Sequence, residues 1–288
     1  MPRLALADTE LHYELHRDAG ADREATPVVL SMGLGFDGGA WEPQVEALRQ
    51  DRTVITFDAR GTGRSARSRR GDYRIRTLAS DLVALLDHLE VERAHLVGQS
   101  MGGAVVLSAA LAAPQRAARL ALIATAARVR PAPLRLSARL ALRMGTDWVV
   151  SGARREEVPA KVAEAWLPYL CPSASEPAVE RLFLDEVERA TRSAIRPDVF
   201  AAQLLGLLRV DLRPRLGELD HPALVIGGDA DVLVDPMDTE ALAAGLPRGT
   251  LSVVAGAGHG LNLCRAGEVN LLLRRFFVDG DEAGRPAA

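Results

Sequence analysis

The chain has 288 residues, 48% of them apolar and 25% charged, and its formal net charge is −3. This length and apolar content exclude a disordered chain and leave room for one large domain or two small ones. The charge balance excludes a general nucleic-acid binder, which carries a strong basic excess; the basic residues are arginines apart from Lys161, and they are scattered.

In chain order, Leu4-Ala5-Leu6 and Leu11-His12-Tyr13-Glu14-Leu15 flank Ala7-Asp8-Thr9-Glu10 and read as an antiparallel hairpin at a sheet edge. Pro27-Val28-Val29-Leu30 is a strand that runs into the glycine-rich loop Gly33 to Gly39. Ala40 to Arg49 carries Trp41, Val45 and Leu48 at helical spacing. Thr53 to Phe57 is β-branched and aromatic, a strand, and Asp58 to Ser65 is a turn-rich loop. Leu78, Leu82, Leu85, Leu86 and Leu89 share one face of a helix. Ala94 to Val97 is a third strand, Met101 to Ala113 a helix of small apolar residues, and Leu120 to Ala124 a fourth strand. Strands alternating with amphipathic helices predict a parallel sheet covered on both faces.

From about Ala127 to Leu219 the alternation stops. Pro131–Trp148, Pro159–Leu170, Pro177–Ser193 and Pro197–Val210 read as helices, each opened by a proline, which suits the first helical position. Alternation resumes with strands at Ala223–Ile226 and Leu251–Val254 and closes with a helix from about Asn262 to Phe277. The polar tail 279–288 is expected to be disordered. The expected organisation is therefore a core of residues 1–126 and 220–278 with an inserted helical cap at 127–219.

Cys171 and Cys264 are the two cysteines. They are too few for a tetrahedral zinc site or a disulfide framework and are expected to be buried, free and inert. The N-terminus has no apolar run of the signal-peptide kind, and Met101 to Ala113 falls short of the roughly 20 residues that span a bilayer. The chain reads as cytoplasmic, with no membrane or nucleic-acid partner and no metal or other cofactor.

Gly98-Gln99-Ser100-Met101-Gly102 is a G-x-S-x-G sequence placed between a strand and a helix. A serine on that tight turn sits in strained backbone, which demands small neighbours, and the turn lifts its hydroxyl above the sheet edge. A serine nucleophile needs a base, and the base an orienting carboxylate. Of six histidines, His12, His16, His88, His95 and His221 occupy a hairpin, a helix or strand starts and read as structural. His259, in Ala255-Gly256-Ala257-Gly258-His259-Gly260 just beyond a strand, reads as the base. Asp229, Asp231 and Asp235 follow the strand at Ala223–Ile226. Asp231 is the chosen acid, with Asp229 a turn cap and Asp235 a helix cap. Ser100 and Asp231 are 131 residues apart, where two strand–helix–strand steps need about 60; the helical insert accounts for the surplus. The backbone N–H groups of Leu34 and Met101 are the expected oxyanion donors. Gly61-Thr62-Gly63-Arg64-Ser65-Ala66 matches a dinucleotide-binding pattern, but Asp58-Ala59-Arg60 intervenes and no helix opens there, so a structural Asp58/Arg60 loop is the better reading.

Over about residues 3 to 278 the sequence resembles the α/β-hydrolase superfamily. The resemblance rests on Gly33-Leu34-Gly35 with Trp41, Phe57 to Ser65, Gly98 to Gly103, Gly228 to Asp231 and Gly256 to His259. It implies an α/β fold with a mostly parallel eight-stranded sheet, helices on both faces and an inserted helical cap. It also implies Ser100 as nucleophile, Asp231 as acid, His259 as base and the Leu34 and Met101 amides as oxyanion hole. The sequence is most similar to the capped branch of oxoadipate enol-lactonases, polyketide methylesterases and haloperoxidase-like esterases. Two departures narrow it: Met32-Gly33 stands where many relatives carry His-Gly, and Ser100 stands where dehalogenases and epoxide hydrolases carry aspartate. The expected function is a serine hydrolase for a small carboxylic ester or lactone. The alternative is a biosynthetic or ligand-binding protein of the same fold with redirected chemistry, including acyl transfer, thioester cleavage or no hydrolysis. Trp148, Trp166, Tyr169 and Phe183 are candidate pocket or cap-core residues.

Overall fold

A computed structural model of the chain describes residues 2–129 and 196–282, together with 167–168, 170–172, 181, 184 and 185. The strands are β1 (Arg3–Ala5), β2 (Glu10–His16), β3 (Val28–Ser31), β4 (Val54–Phe57), β5 (Ala94–Gln99), β6 (Ala117–Ile123), β7 (Ala223–Gly228) and β8 (Gly249–Val254). The described helices are α1 (Glu42–Leu48), α2 (Ile75–His88), α3 (Met101–Ala112), α4 (Pro197–Leu208), α5 (Pro236–Gly245), α6 (Leu261–Cys264) and α7 (Ala266–Glu282). The eight strands form one sheet in the order β1-β2-β4-β3-β5-β6-β7-β8. β1 and β2 make the expected antiparallel edge, and every pair from β4 to β8 is parallel.

The central strands read as unbroken apolar runs because both faces are covered. In β6, Leu120 and Leu122 pack with α2 and α3, through Leu82, Leu85, Val105 and Val106. Ala121 and Ile123 turn the other way, to the layer that holds Trp41, Leu273 and Phe277. The two-residue period of the strand thus serves two cores at once. β8 is the outer strand, and its Leu251 and Val253 stay exposed.

Charged groups buried beside the sheet lock the loops of the first half. The Asp58 carboxylate, fully buried, accepts from Gly38 N–H at 2.8 Å, Arg64 N–H at 2.8 Å and Arg64 Nε at 3.1 Å. Arg60 grips both oxygens of Asp81 on α2 at 2.6 Å and donates to Asp8 Oδ2 at 2.9 Å. The 61–66 segment is thus held by the buried Asp58 carboxylate through Arg64, and the next helix opens only at Ile75, as the structural reading of that loop requires.

Several expectations need correction. The closing helix is two: α6 stops at Arg265, where φ is −128° and ψ 37°, and α7 follows. α7 runs on to Glu282, beyond the expected end at Phe277, because no proline lies between Phe277 and Glu282 and Gly280 alone costs only about 1 kcal/mol. Residues 283–288 lie outside the described residues. Of the four helices expected in the insert, Pro197–Val210 is present as α4; most of the other three, with Trp148, Trp166, Tyr169 and Phe183, falls outside the described residues. The cysteines are not free: Cys171 and Cys264 are paired in a disulfide, Cα–Cα 6.0 Å across 93 residues of sequence. Sequence spacing carries no record of that approach, which the fold creates by bringing Leu170 beside α6. No helix among the described residues is long and apolar enough to cross a membrane.

His95 on β5 is buried and stacks flat on Phe277, ring centroids 4.6 Å apart. Burial, reinforced by Arg52, Arg119 and Arg93, lowers its pKa to about 3. The unfolded chain binds a proton there below about 6.5 while the folded one stays neutral, so stability falls as pH drops through that window. Between pH 7 and pH 5 the loss from this group is about 2 kcal/mol. Chemical denaturation at both pH values should show the drop shrinking by that amount in His95→Gln, and an unchanged drop would refute a neutral buried imidazole. Asp81→Ala, which removes both bonds from the Arg60 guanidinium to α2 and leaves it paired with Asp8, should cost about 2–3 kcal/mol by the same assay.

Candidate active site

The parallel strands deliver their C-terminal ends to one edge of the sheet, and the chain order reverses about β3, with β4 on one side and β5 on the other. A crevice at such a reversal is where open α/β sheets bind ligands. Ser100 stands there, between the last residue of β5 and the first of α3. Its backbone is at φ 53°, ψ −117°, a region that costs a non-glycine residue roughly 1–3 kcal/mol. Surrounding bonds hold it: Ser100 N–H donates to Ile123 O at 2.9 Å, and Thr125 Oγ1 donates to Ser100 O at 2.7 Å. The turn closes only because side chains are missing beside it. A Cβ on Gly98 would lie 2.3 Å from Gly102 O, and one on Gly102 would lie 2.0 Å from Ser31 O.

His259 arrives on the loop after β8 and Asp231 on the loop after β7. His259 Nε2 lies 2.9 Å from Ser100 Oγ, and Nδ1 lies 2.9 Å from Asp231 Oδ2. Asp231 Oδ1 accepts from the N–H groups of Leu233 and Val234 at 2.8 and 2.9 Å. One oxygen is thus held by backbone while the other faces the imidazole. The two competing aspartates are engaged elsewhere: Asp229 Oδ1 accepts from Gly256 N–H at 2.6 Å, and Asp235 Oδ1 caps α5 through Met237 N–H at 2.9 Å. His12, His16, His88 and His221 find partners away from this edge.

A small cavity of about 40 Å³ opens at Ser100 and His259. Met32, Leu34, Phe36, Leu170 and Leu263 give it apolar walls, and Gln99 and Asn262 are its polar members. Leu34 belongs to the loop after β3, whose Gly33 packs so closely that a Cβ there would lie 3.1 Å from Ser100 Cβ. Met101 opens α3 directly behind Ser100. The arrangement brings all five sequence-predicted residues to one place.

Sequence reasoning missed two participants. Buried Gln99, inside the G-x-S-x-G motif, donates from Nε2 to His259 O at 3.1 Å and so ties the histidine loop to the serine strand. Its signal was an amide within a motif whose variable positions carry no constraint of their own. Leu170 O accepts from Gly260 N–H at 2.8 Å, which fastens the insert to the same loop from the other side; only the fold creates that contact.

Comparison with known proteins agrees with this geometry. Residues 26–265 match the α/β hydrolase fold family. A curated relative from Caulobacter vibrioides, named "Putative carbamate hydrolase RutD", is 34% identical over 266 residues, covering 91% of this chain and 94% of the relative. Among solved structures, the enol-lactonase of Burkholderia xenovorans LB400 is 30% identical with a TM-score of 0.77, covering 96% of this chain and all of the other. A thermophilic esterase from Thermogutta terrifontis, solved with malate bound, is 29% identical with a TM-score of 0.78, covering 98% and 100%. With its eight-stranded sheet, its serine turn and matches of this length, the chain belongs to the α/β-hydrolase fold family and is a hydrolase.

Proposed function

We propose that the protein is a serine hydrolase that cleaves a small carboxylic ester or lactone through an acyl-enzyme. The observation that carries this reading is the pair of 2.9 Å contacts running from Ser100 Oγ through the His259 ring to Asp231. His259 Nε2 takes the hydroxyl proton as Oγ attacks the carbonyl carbon, and Asp231 holds the ring and stabilises its charged form. The Leu34 and Met101 amides receive the developing oxyanion; losing one such donor typically costs about 10²–10³ in rate. His259 then gives its proton to the leaving alcohol, which in a lactone stays on the acyl chain. Water, deprotonated by the same nitrogen, attacks the acyl carbon and restores Ser100. The insert 127–219 is the cap over this cavity, and Leu170 is the described part of it that lines the wall.

A carbamate is the second reading, favoured by the name of the Caulobacter vibrioides relative. The same three residues serve it, since only the substituent on the attacked carbonyl changes.

The decisive experiment is covalent labelling by a fluorophosphonate, read by intact mass. Wild type should gain one adduct on Ser100 and Ser100→Ala none, while His259→Ala should label at least about 10³-fold more slowly. Labelling that survives Ser100→Ala, or a folded wild type that stays unlabelled, would sink the proposal. Asp231→Asn should leave the fold intact and lower kcat by about 10⁴-fold on whichever ester, lactone or carbamate of a substrate panel turns over fastest.

A further inference from the structure

Asn262 lies in the first turn of α6, three residues after His259, and is 1% exposed. Its backbone carbonyl accepts from Gln44 Nε2 at 2.7 Å; Gln44 Nε2 also donates to Asn270 Oδ1 at 3.0 Å, and Asn270 Nδ2 donates to Pro43 O at 2.9 Å. The backbone of Asn262 is therefore pinned by α1 and α7. Its side chain is not: neither Oδ1 nor Nδ2 meets a hydrogen-bond partner among the described residues, although both are buried. Asn262 is a member of the wall that also holds Ser100 and His259.

A buried carboxamide with both ends unpaired is destabilising, and proteins rarely keep one without a use. The surrounding walls are apolar and, among the described residues, the cavity has no arginine or lysine. A substrate carboxylate entering here would meet no cation among the described residues, and a buried charge without one is strongly unfavourable. A neutral group with one donor and one acceptor fits instead, because a carboxamide offers the complementary acceptor and donor.

We infer that Asn262 is a specificity residue that reads a neutral hydrogen-bonding group, a hydroxyl or an amide, on the acyl part of a small ester or lactone. This rests on the serine-hydrolase reading above. A site built to hydrogen-bond a hydroxyl discriminates against the analogue that lacks it, because its own polar group is then left unpaired.

The test compares ethyl butyrate, ethyl 3-hydroxybutyrate and ethyl hydrogen succinate with wild type and Asn262→Leu. Wild type should prefer the hydroxy ester by roughly 10- to 100-fold in kcat/KM over ethyl butyrate, and the succinate ester should be the poorest. Asn262→Leu should lose that preference, bringing its kcat/KM values for the hydroxy ester and ethyl butyrate within about threefold of each other. Its Tm should rise by about 2–6 °C, because an unpaired buried amide has been replaced by an apolar side chain; a structural Asn262 would instead give a lower Tm. An unchanged ester ratio in the variant overturns the inference, as does a best rate on the succinate ester. Failure to hydrolyse ethyl 3-hydroxybutyrate by an enzyme whose Ser100 takes the fluorophosphonate also overturns it. If Ser100 takes no probe, the hydrolytic reading fails separately. Thermal stabilisation by uncleaved ethyl 3-hydroxybutyrate, present in wild type and absent in Asn262→Leu, then decides the role of Asn262.

Discussion

The close approach of α3 to the end of β3 is the constraint on which the site depends. Ser31 O sits where any side chain on Gly102 would be, and Gly98 faces the Gly102 carbonyl with equally little room. That approach forces the residue between them into a backbone region that glycine would enter freely and Ser100 enters at a cost. The cost is offset by what surrounds the turn: two apolar layers, the bond to Ile123 O and the Thr125 hydroxyl. In exchange the hydroxyl stands clear of the sheet, at the point where loops from β7 and β8 converge on it. A looser turn would leave the same three side chains in the chain without the geometry that joins them.

Much of this was legible in the sequence because local constraint leaves local marks. Val28–Leu30 and Leu120–Ala124 read as strands since burial on both faces removes every polar residue from them. Ser100 and His259 stood out because strained or crowded turns collect glycine and alanine around a single polar residue. Asp231 was separable from Asp229 and Asp235 by its setting, Gly-x-x-Asp followed by an apolar turn closed by proline, and the structure gives each of the three its own backbone partner. The 131 residues between Ser100 and Asp231 exceed what the two crossovers joining β5, β6 and β7 need.

What the sequence did not disclose depends on contacts between distant segments. Cys171 and Cys264 carry no mark of their pairing, because nothing in either neighbourhood encodes the Leu170–Gly260 contact that brings them together. The break at Arg265 inside the closing helix follows from the loop that α6 completes rather than from a helix breaker. Asn262 read as an ordinary first residue of a helix; its importance comes from an apolar wall assembled by β3, the insert and α6. Gln99 likewise gains meaning only when the loop after β8 is laid across it.

The bond from Gln99 to His259 O makes the His259 loop part of the same mechanical body as the strand that leads into Ser100. Gln99 and Ser100 are consecutive residues, so a shift of the serine strand carries the imidazole loop with it. The Ser100–His259 distance is thereby tied to the backbone of one strand and one loop. On the proposed serine-hydrolase reading, two engineering problems then come apart: the segment that carries Leu170 can be resurfaced for a new substrate without retuning Ser100 and His259, provided Gly260 keeps an acceptor where Leu170 O now lies.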